Sequence, residues 1–191
     1  MSMCFKKLRV IAMCLSIAGC KIPDSVSVGF GFRNAYGSYR LSKKRKNIPF
    51  ARAELDYRLK NDLEGFLKFD FIKGDFRFTD SIEHVVQGDF EALGGGLRFY
   101  PFHEYFALET GAEVFRARAS AVGDFRLFKQ RIDDVVYGWG INVGAIAEFA
   151  LNDDTKLFFS GGYNFTDNES KRINFDFDGY YALLGLKIEI K

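Results

Sequence analysis

The chain of 191 residues holds little of what most reactive centres are built from: three cysteines, two histidines, three prolines and one tryptophan. Cys4, Cys14 and Cys20 all lie at or before position 20. Once a leader is removed, no pair remains for an internal disulfide and no thiolate cluster for a metal. His84 and His103 are too few for a histidine-built metal site. No cofactor and no metal are therefore expected. The chain also lacks an apolar run of the ~20 residues that a spanning helix needs.

The longest apolar stretch, Val10 to Gly19, follows Lys6, Lys7 and Arg9. A basic start and a short apolar run form the pattern of a secretory signal peptide. Residues 1–19 are read as that leader, 20–24 as a short linker and 25–191 as the folded body. Ile17-Ala18-Gly19-Cys20 resembles the lipobox of bacterial lipoproteins, which makes Cys20 the expected lipidation site. Ordinary cleavage after Ala18, with Ser16 and Ala18 as the small residues, is the alternative. The leader takes three of the 27 Lys+Arg with it and none of the 25 Asp+Glu. The mature chain is close to neutral.

What the body does contain is period-two alternation, the mark of β-strands with unlike faces. Arg52, Glu54, Asp56 and Arg58 alternate with Ala51, Ala53, Leu55, Tyr57 and Leu59. Val26, Val28, Phe30 and Phe32 alternate with small residues, as do Tyr137 to Phe149 with Gly138, Gly140, Asn142, Gly144 and Glu148. Eight such runs are found, and no helical period competes with them. Phase changes are expected at Gly74 and at Gly94-Gly95-Gly96, where glycine permits a bulge. Tight turns at 60–63, 101–104 and 152–155 alternate with longer polar connections at 37–49, 79–88, 119–134 and 166–174. The expected fold is all-β: an eight-stranded antiparallel up-and-down transmembrane barrel with short periplasmic turns and long extracellular loops.

The small and charged face suits the narrow interior of such a barrel, and the bulky face suits lipid. A lumen charge network of Arg52, Glu54, Asp56, Arg58, Lys68, Asp70, Arg98, Glu109, Glu113 and Glu148 is expected. Arg33, Arg116, Arg118 and Glu91 are assigned to the same inward set. Buried charges need opposite partners, so this lumen is expected to be a salt-bridged plug and not a channel. Two aromatic belts are expected: Tyr36, Phe78, Phe90, Tyr137, Trp139, Phe175 and Tyr180 towards the loops, and Tyr57, Phe99, Tyr105 and Phe149 towards the turns.

The segment "EALGGGLRFYPFHEYFALETGAE", residues 91–113, resembles the glycine-rich strand, turn and returning strand of small bacterial outer-membrane β-barrel proteins of the OmpX, OmpW and opacity-protein type. The resemblance implies an outer-membrane location and the barrel assembly machinery as a partner. Such proteins usually end in an aromatic residue, whereas this chain ends Lys187-Ile188-Glu189-Ile190-Lys191.

Asp80, Ser81 and His84 permit a reading as a lipid A acyltransferase or deacylase, because a serine nucleophile needs a base within reach. Motifs this short match by chance, and a charged lumen leaves no apolar slot for an acyl chain. A hydrophilic loop, and hence no enzyme, is the expectation. A soluble periplasmic lipocalin-like binding barrel is the third reading. The first long loop carries Arg40, Lys43, Lys44, Arg45 and Lys46, and the third adds Arg126, Lys129 and Arg131. Cationic side chains favour phosphate, so outer-membrane lipid and lipopolysaccharide are the expected partners, with a host or cell-surface ligand as the further one. Nucleic acid is not expected.

Overall fold

A computed structural model describes residues 22–38, 44–79, 83–103, 105–125, 128–169 and 174–190. These residues form β1 (Ser25–Ser38), β2 (Lys44–Lys60), β3 (Leu63–Thr79), β4 (Glu83–His103), β5 (Phe106–Phe125), β6 (Phe128–Ala150), β7 (Thr155–Glu169), β8 (Asn174–Asp176) and β9 (Gly179–Glu189). From β1 to β7 each strand pairs antiparallel with the next, β7 pairs with β9, and β1 pairs with β2 on one side and with β8 and β9 on the other. The sheet therefore closes on itself. β8 and β9 are two lengths of one stave, so the barrel has eight. Among the described residues the ladders close the barrel up to Ala51↔Phe71 between β2 and β3 and Asn164↔Gly179 between β7 and β9, and a closed wall is the condition for placing β-structure in lipid.

The eighth stave breaks at Phe177 and Asp178. Gly179 has φ +149°, and a Cβ there would lie 2.6 Å from Asn34 Cβ, so the break needs glycine. The detour turns Phe177 into the interior, while Asp178 accepts hydrogen bonds from the backbone and hydroxyl of Thr166.

Two expectations about regularity are corrected. The β3–β4 ladder runs from Leu63↔Phe99 to Thr79↔Glu83 without a register shift, and β4 passes Gly94-Gly95-Gly96 in unbroken register with both neighbours. Neither glycine site is a bulge. Gly94 and Gly96 make room instead: a Cβ on them would lie 3.0 Å from Lys68 Cε and 2.8 Å from Phe66 Cζ. The long connections are also shorter than expected, because strands continue into them. Lys44, Arg45 and Lys46 belong to β2, opposite Gly37, Tyr36 and Ala35, and Lys129 and Arg131 belong to β6. Arg40, Lys43 and Arg126 lie outside the described residues.

The two faces exchange character part-way up the wall, with no break in the strands. In the half nearer the tight turns, β5 points Glu109 and Glu113 inward and Leu108, Thr110 and Ala112 outward. Above that level Phe115 and Ala117 are buried inside, and Arg116 and Arg118 are on the outer side. β4 does the same, from Arg98 inside and Leu97 and Phe99 outside to Phe90 and Ala92 inside and Glu91 and Asp89 outside. β2 passes from Asp56, Glu54 and Arg52 to Phe50 and Ile48. The assignment of Arg116, Arg118 and Glu91 to the lumen is thereby corrected, as is that of Phe90 to an outer belt. The physical reason is that alternation fixes which residues share a face, whereas the medium on each side changes with height. Near the turns the outer face is apolar, as lipid requires; nearer the loops apolar residues are inside and charges outside, as in a soluble sheet.

Candidate functional site: a charge-filled lumen below an apolar cap

The polar half of the lumen is organised around Arg98 on β4. Its Nη1 lies 2.7 Å from Asp56 and 3.2 Å from Glu64, its Nε 3.2 Å from Glu109, and its Nη2 pairs with Glu54. The guanidinium centre is 4.6 Å from the centre of the Phe66 ring. Four carboxylates from β2, β3 and β5 thus converge on one planar cation, whose five N–H donors allow this. Asp56 also accepts hydrogen bonds from Ser25 and Ser27 at 3.0 and 2.9 Å. Glu109 accepts from Ser160 at 3.3 Å and from Tyr181.

Arg52 forms a two-pronged pair with Asp70, at 2.6 and 2.8 Å. Lys68 reaches Glu113 at 2.9 Å and donates to Asn142 at 3.2 Å. Arg33 crosses from β1 to Glu113 at 2.6 Å and stands 5.0 Å from the centre of the Phe90 ring. Towards the turns, Lys187 on β9 binds both oxygens of Glu64 at 3.0 and 2.9 Å and Glu148 at 3.1 Å. Each of these charges is almost fully buried, so each depends on its partners.

Of the ten residues named from the sequence, nine stand in this buried set. The tenth, Arg58, is exposed at the turn-end rim, past the last closed level, where its N–H donates to Asp24 at 2.6 Å. It helps line an open polar cavity of about 560 Å³ whose floor carries Glu64, Tyr100, Glu148 and Lys187. The sequence reading missed Glu64 and Lys187. Lys187 was detectable, because Leu184, Leu186 and Ile188 on the apolar face put it on the opposite one.

Above Arg33 the interior is apolar. Phe90, Phe115 and Phe177 pack with ring centres 4.6 to 5.5 Å apart, joined by Ile48, Phe50, Ile72 and Val136. Aromatic rings at such separations interlock edge to face or tilted. This cluster caps the charged layers on the loop side. On the outer wall the apolar band includes Phe30, Phe32, Phe69, Leu93, Leu108, Val143, Phe159 and Leu184, each more than 40% exposed. An apolar surface this continuous is a lipid-facing surface. Tyr137 and Tyr180 stand at its loop-side border, and Phe99, Tyr105 and Phe149 at its turn-side border. Tyr57 there is only partly exposed. Tyr36, Phe78 and Phe175 have side chains outside the description, as does His84; Asp80, Ser81 and Cys20 are outside it altogether.

No protein-family model matches this sequence, and no curated relative does. Solved structures do. Ail, the attachment invasion locus protein of Yersinia pestis, matches with a TM-score of 0.56 and 15% identity over 88% of this chain and 99% of that one. The same protein in complex with the heparin analogue sucrose octasulfate matches at 0.49 and 14%, over 87% and 98%. The translocator domain of the autotransporter NalP from Neisseria meningitidis matches at 0.51 and 8%, over 97% and 95%. The fold is that of the small outer-membrane β-barrels. At these identities the likeness concerns architecture alone, and it extends over nearly the whole described body.

Proposed function

We propose that this chain is a non-catalytic outer-membrane barrel whose loop-end rim contacts the phosphate-bearing headgroups of the outer leaflet. The observation that carries the reading is the exchange of faces along β2 to β5. The row Phe71, Glu91, Arg116 and Tyr137 runs across four neighbouring strands on the outer wall, and Asp89, Arg118 and Val135 form the next row up. Charges begin on the outer surface where the apolar band stops, so this level is the hydrocarbon border. Arg116 Nε is buried against the wall without a hydrogen-bond partner, and a buried unpaired donor is costly. Arg116 as a residue is only half-buried, so a headgroup phosphate at this level can meet the exposed part of its cation.

Arg118 and, on β2, Lys44, Arg45 and Lys46 add cations at the same end, and Arg40 and Lys43 precede them in sequence. The opposite end, with the tight turns and the N-terminal strand, then faces the periplasm. Export by residues 1–19 and acylation of Cys20 fit that placement, since Asp24 is tied to the turn-end rim through Asp56 and Ile190 at 2.8 Å. Assembly by the barrel-insertion machinery follows from the same reading.

The test is reconstitution into bilayers of phosphatidylcholine with and without lipopolysaccharide. Thermal unfolding of the native chain should rise in the presence of lipopolysaccharide, and Arg116→Glu with Arg118→Glu should abolish the rise. An unchanged rise in the double variant would remove these two residues from the contact. Heat-modifiable migration from purified outer membranes tests the location.

A further inference from the structure

Among the described residues, the buried charges comprise five cations and seven carboxylates, so the lumen carries a surplus of negative charge. The surplus is not spread evenly. Towards the loops Arg33, Arg52 and Lys68 face Asp70 and Glu113, which leaves one cation over. Towards the turns Arg98 and Lys187 face Glu54, Asp56, Glu64, Glu109 and Glu148, and Arg52 reaches Glu54 only at 3.5 Å. The surplus carboxylates therefore stand where the lumen opens, at the turn-end cavity of about 560 Å³. On its floor the three N–H donors of Lys187 are spent on Glu64, at 3.0 and 2.9 Å, and on Glu148, at 3.1 Å. The Tyr100 hydroxyl donates to Glu148 at 3.1 Å. The other oxygen of Glu148, Oε2, meets Lys156 at 3.8 Å, beyond hydrogen-bond distance, while Lys156 is held by Glu189 at 3.0 Å. The floor keeps acceptor capacity and has no donor to spare.

We propose that this cavity binds a zwitterionic amino acid or short peptide, its ammonium on Glu148 and its carboxylate towards Arg58 and Lys60. The reading is independent of the headgroup contact at the other end. The cavity has the size of small-molecule sites, which run from about 300 to 1,000 Å³. Lys187 shows how the floor receives an ammonium, between two carboxylates. A second ammonium on Glu148 Oε2 offsets part of the surplus, and a buried charge without a counter-charge is costly. Free anions meet repulsion there. Among the described residues no group of His, Cys, Asp and Glu side chains could hold a metal ion, so a hydrogen-bonding cation suits the floor better than a divalent one. The rim is different. Arg58, Lys60 and Lys156 line it together with Asp24, Asp62 and Glu189, in balance. Arg58 and Lys60 are exposed, and such cations favour a carboxylate. A negative floor under a mixed rim matches a ligand that carries both charges.

The experiment uses the full chain in phosphatidylcholine nanodiscs and calorimetric titration with glycylglycine. Saturable binding is expected. N-acetylglycylglycine, which lacks the ammonium, should bind at least about tenfold more weakly, the worth of one charge-assisted hydrogen bond. Glycylglycine amide, which lacks the carboxylate, should be weaker by a smaller factor, and Arg58→Gln with Lys60→Gln should erase that preference. Glu148→Gln should weaken glycylglycine by about tenfold, with heat-modifiable migration showing that the variant is folded. If that variant fails to fold, the acetylated peptide decides the matter on the native chain. Absence of saturable glycylglycine binding would overturn the proposal. So would equal affinity for the acetylated peptide, undiminished affinity of folded Glu148→Gln, a preference that survives the rim variant, or displacement of the peptide by equimolar sodium chloride.

Discussion

Replacing Arg98 by Met is the sharpest probe of the lumen. The change keeps a side chain of similar length and removes the cation on which Glu54, Asp56, Glu64 and Glu109 converge. Removing one partner of a buried ion pair costs about 3–5 kcal/mol, because the remaining charge is left uncompensated. Partial relief comes from Arg52 beside Glu54, Lys187 beside Glu64, and the serine and tyrosine hydroxyls on Asp56 and Glu109. The expected loss therefore sits within that range and not at a multiple of it. Were the lumen a water-filled pore, the pairs would behave as solvated ones, worth about 1 kcal/mol or less. Urea unfolding of the barrel in lipid vesicles, read by electrophoretic mobility, separates the two cases. Adding Glu54→Gln to Arg98→Met should recover part of the loss, since the second change removes a charge left without its main partner, and the cycle measures that coupling. A loss below about 1 kcal/mol, or a double variant worse than the single one by the full cost of Glu54→Gln alone, would refute a dry, ion-paired lumen.

Four further outcomes are expected. Ala53→Phe, on the outer wall, should be tolerated, and Glu54→Phe, inside, should block folding; equal yields of refolded barrel would show the faces to be inverted. Leu55→Arg places a cation on the apolar band and should cost about 2–4 kcal/mol if it stands near the bilayer midplane, measured by the same unfolding assay. Gly179→Ala, at φ +149° and with a Cβ 2.6 Å from that of Asn34, should lower stability by roughly 1 kcal/mol or more in the same assay, and Gly179→Asn should be no milder because its Cβ meets the same clash. Cys20→Ser should remove a diacylglycerol mass from the mature chain while leaving the barrel membrane-bound, an outcome that intact-mass spectrometry and membrane fractionation read directly.

By itself the sequence determined the strand class, the positions of the tight turns and the partition of each strand into two faces. The side-chain period is two, so Arg52, Glu54 and Asp56 had to share one face and Ala53 and Leu55 the other. What alternation could not say is what each face meets, because that depends on where the strand stands in the closed barrel. Phe90, Phe115 and Phe177 form an interior cap, and Arg116 and Arg118 stand outside, although nothing in the strand phase changes between them and Arg98 or Glu113. Read as sequence, the exchange looked like a bulge at glycine or a longer run of inward charge. Only the tertiary structure shows one unbroken pleat crossing from a lipid-facing level to a polar one, with the preferred occupant of each face reversing at the border. The same holds for the charge pairs. Lys187 and Glu64 are 123 positions apart, and closure of β9 against β1 brings them within hydrogen-bonding distance, which no local pattern encodes.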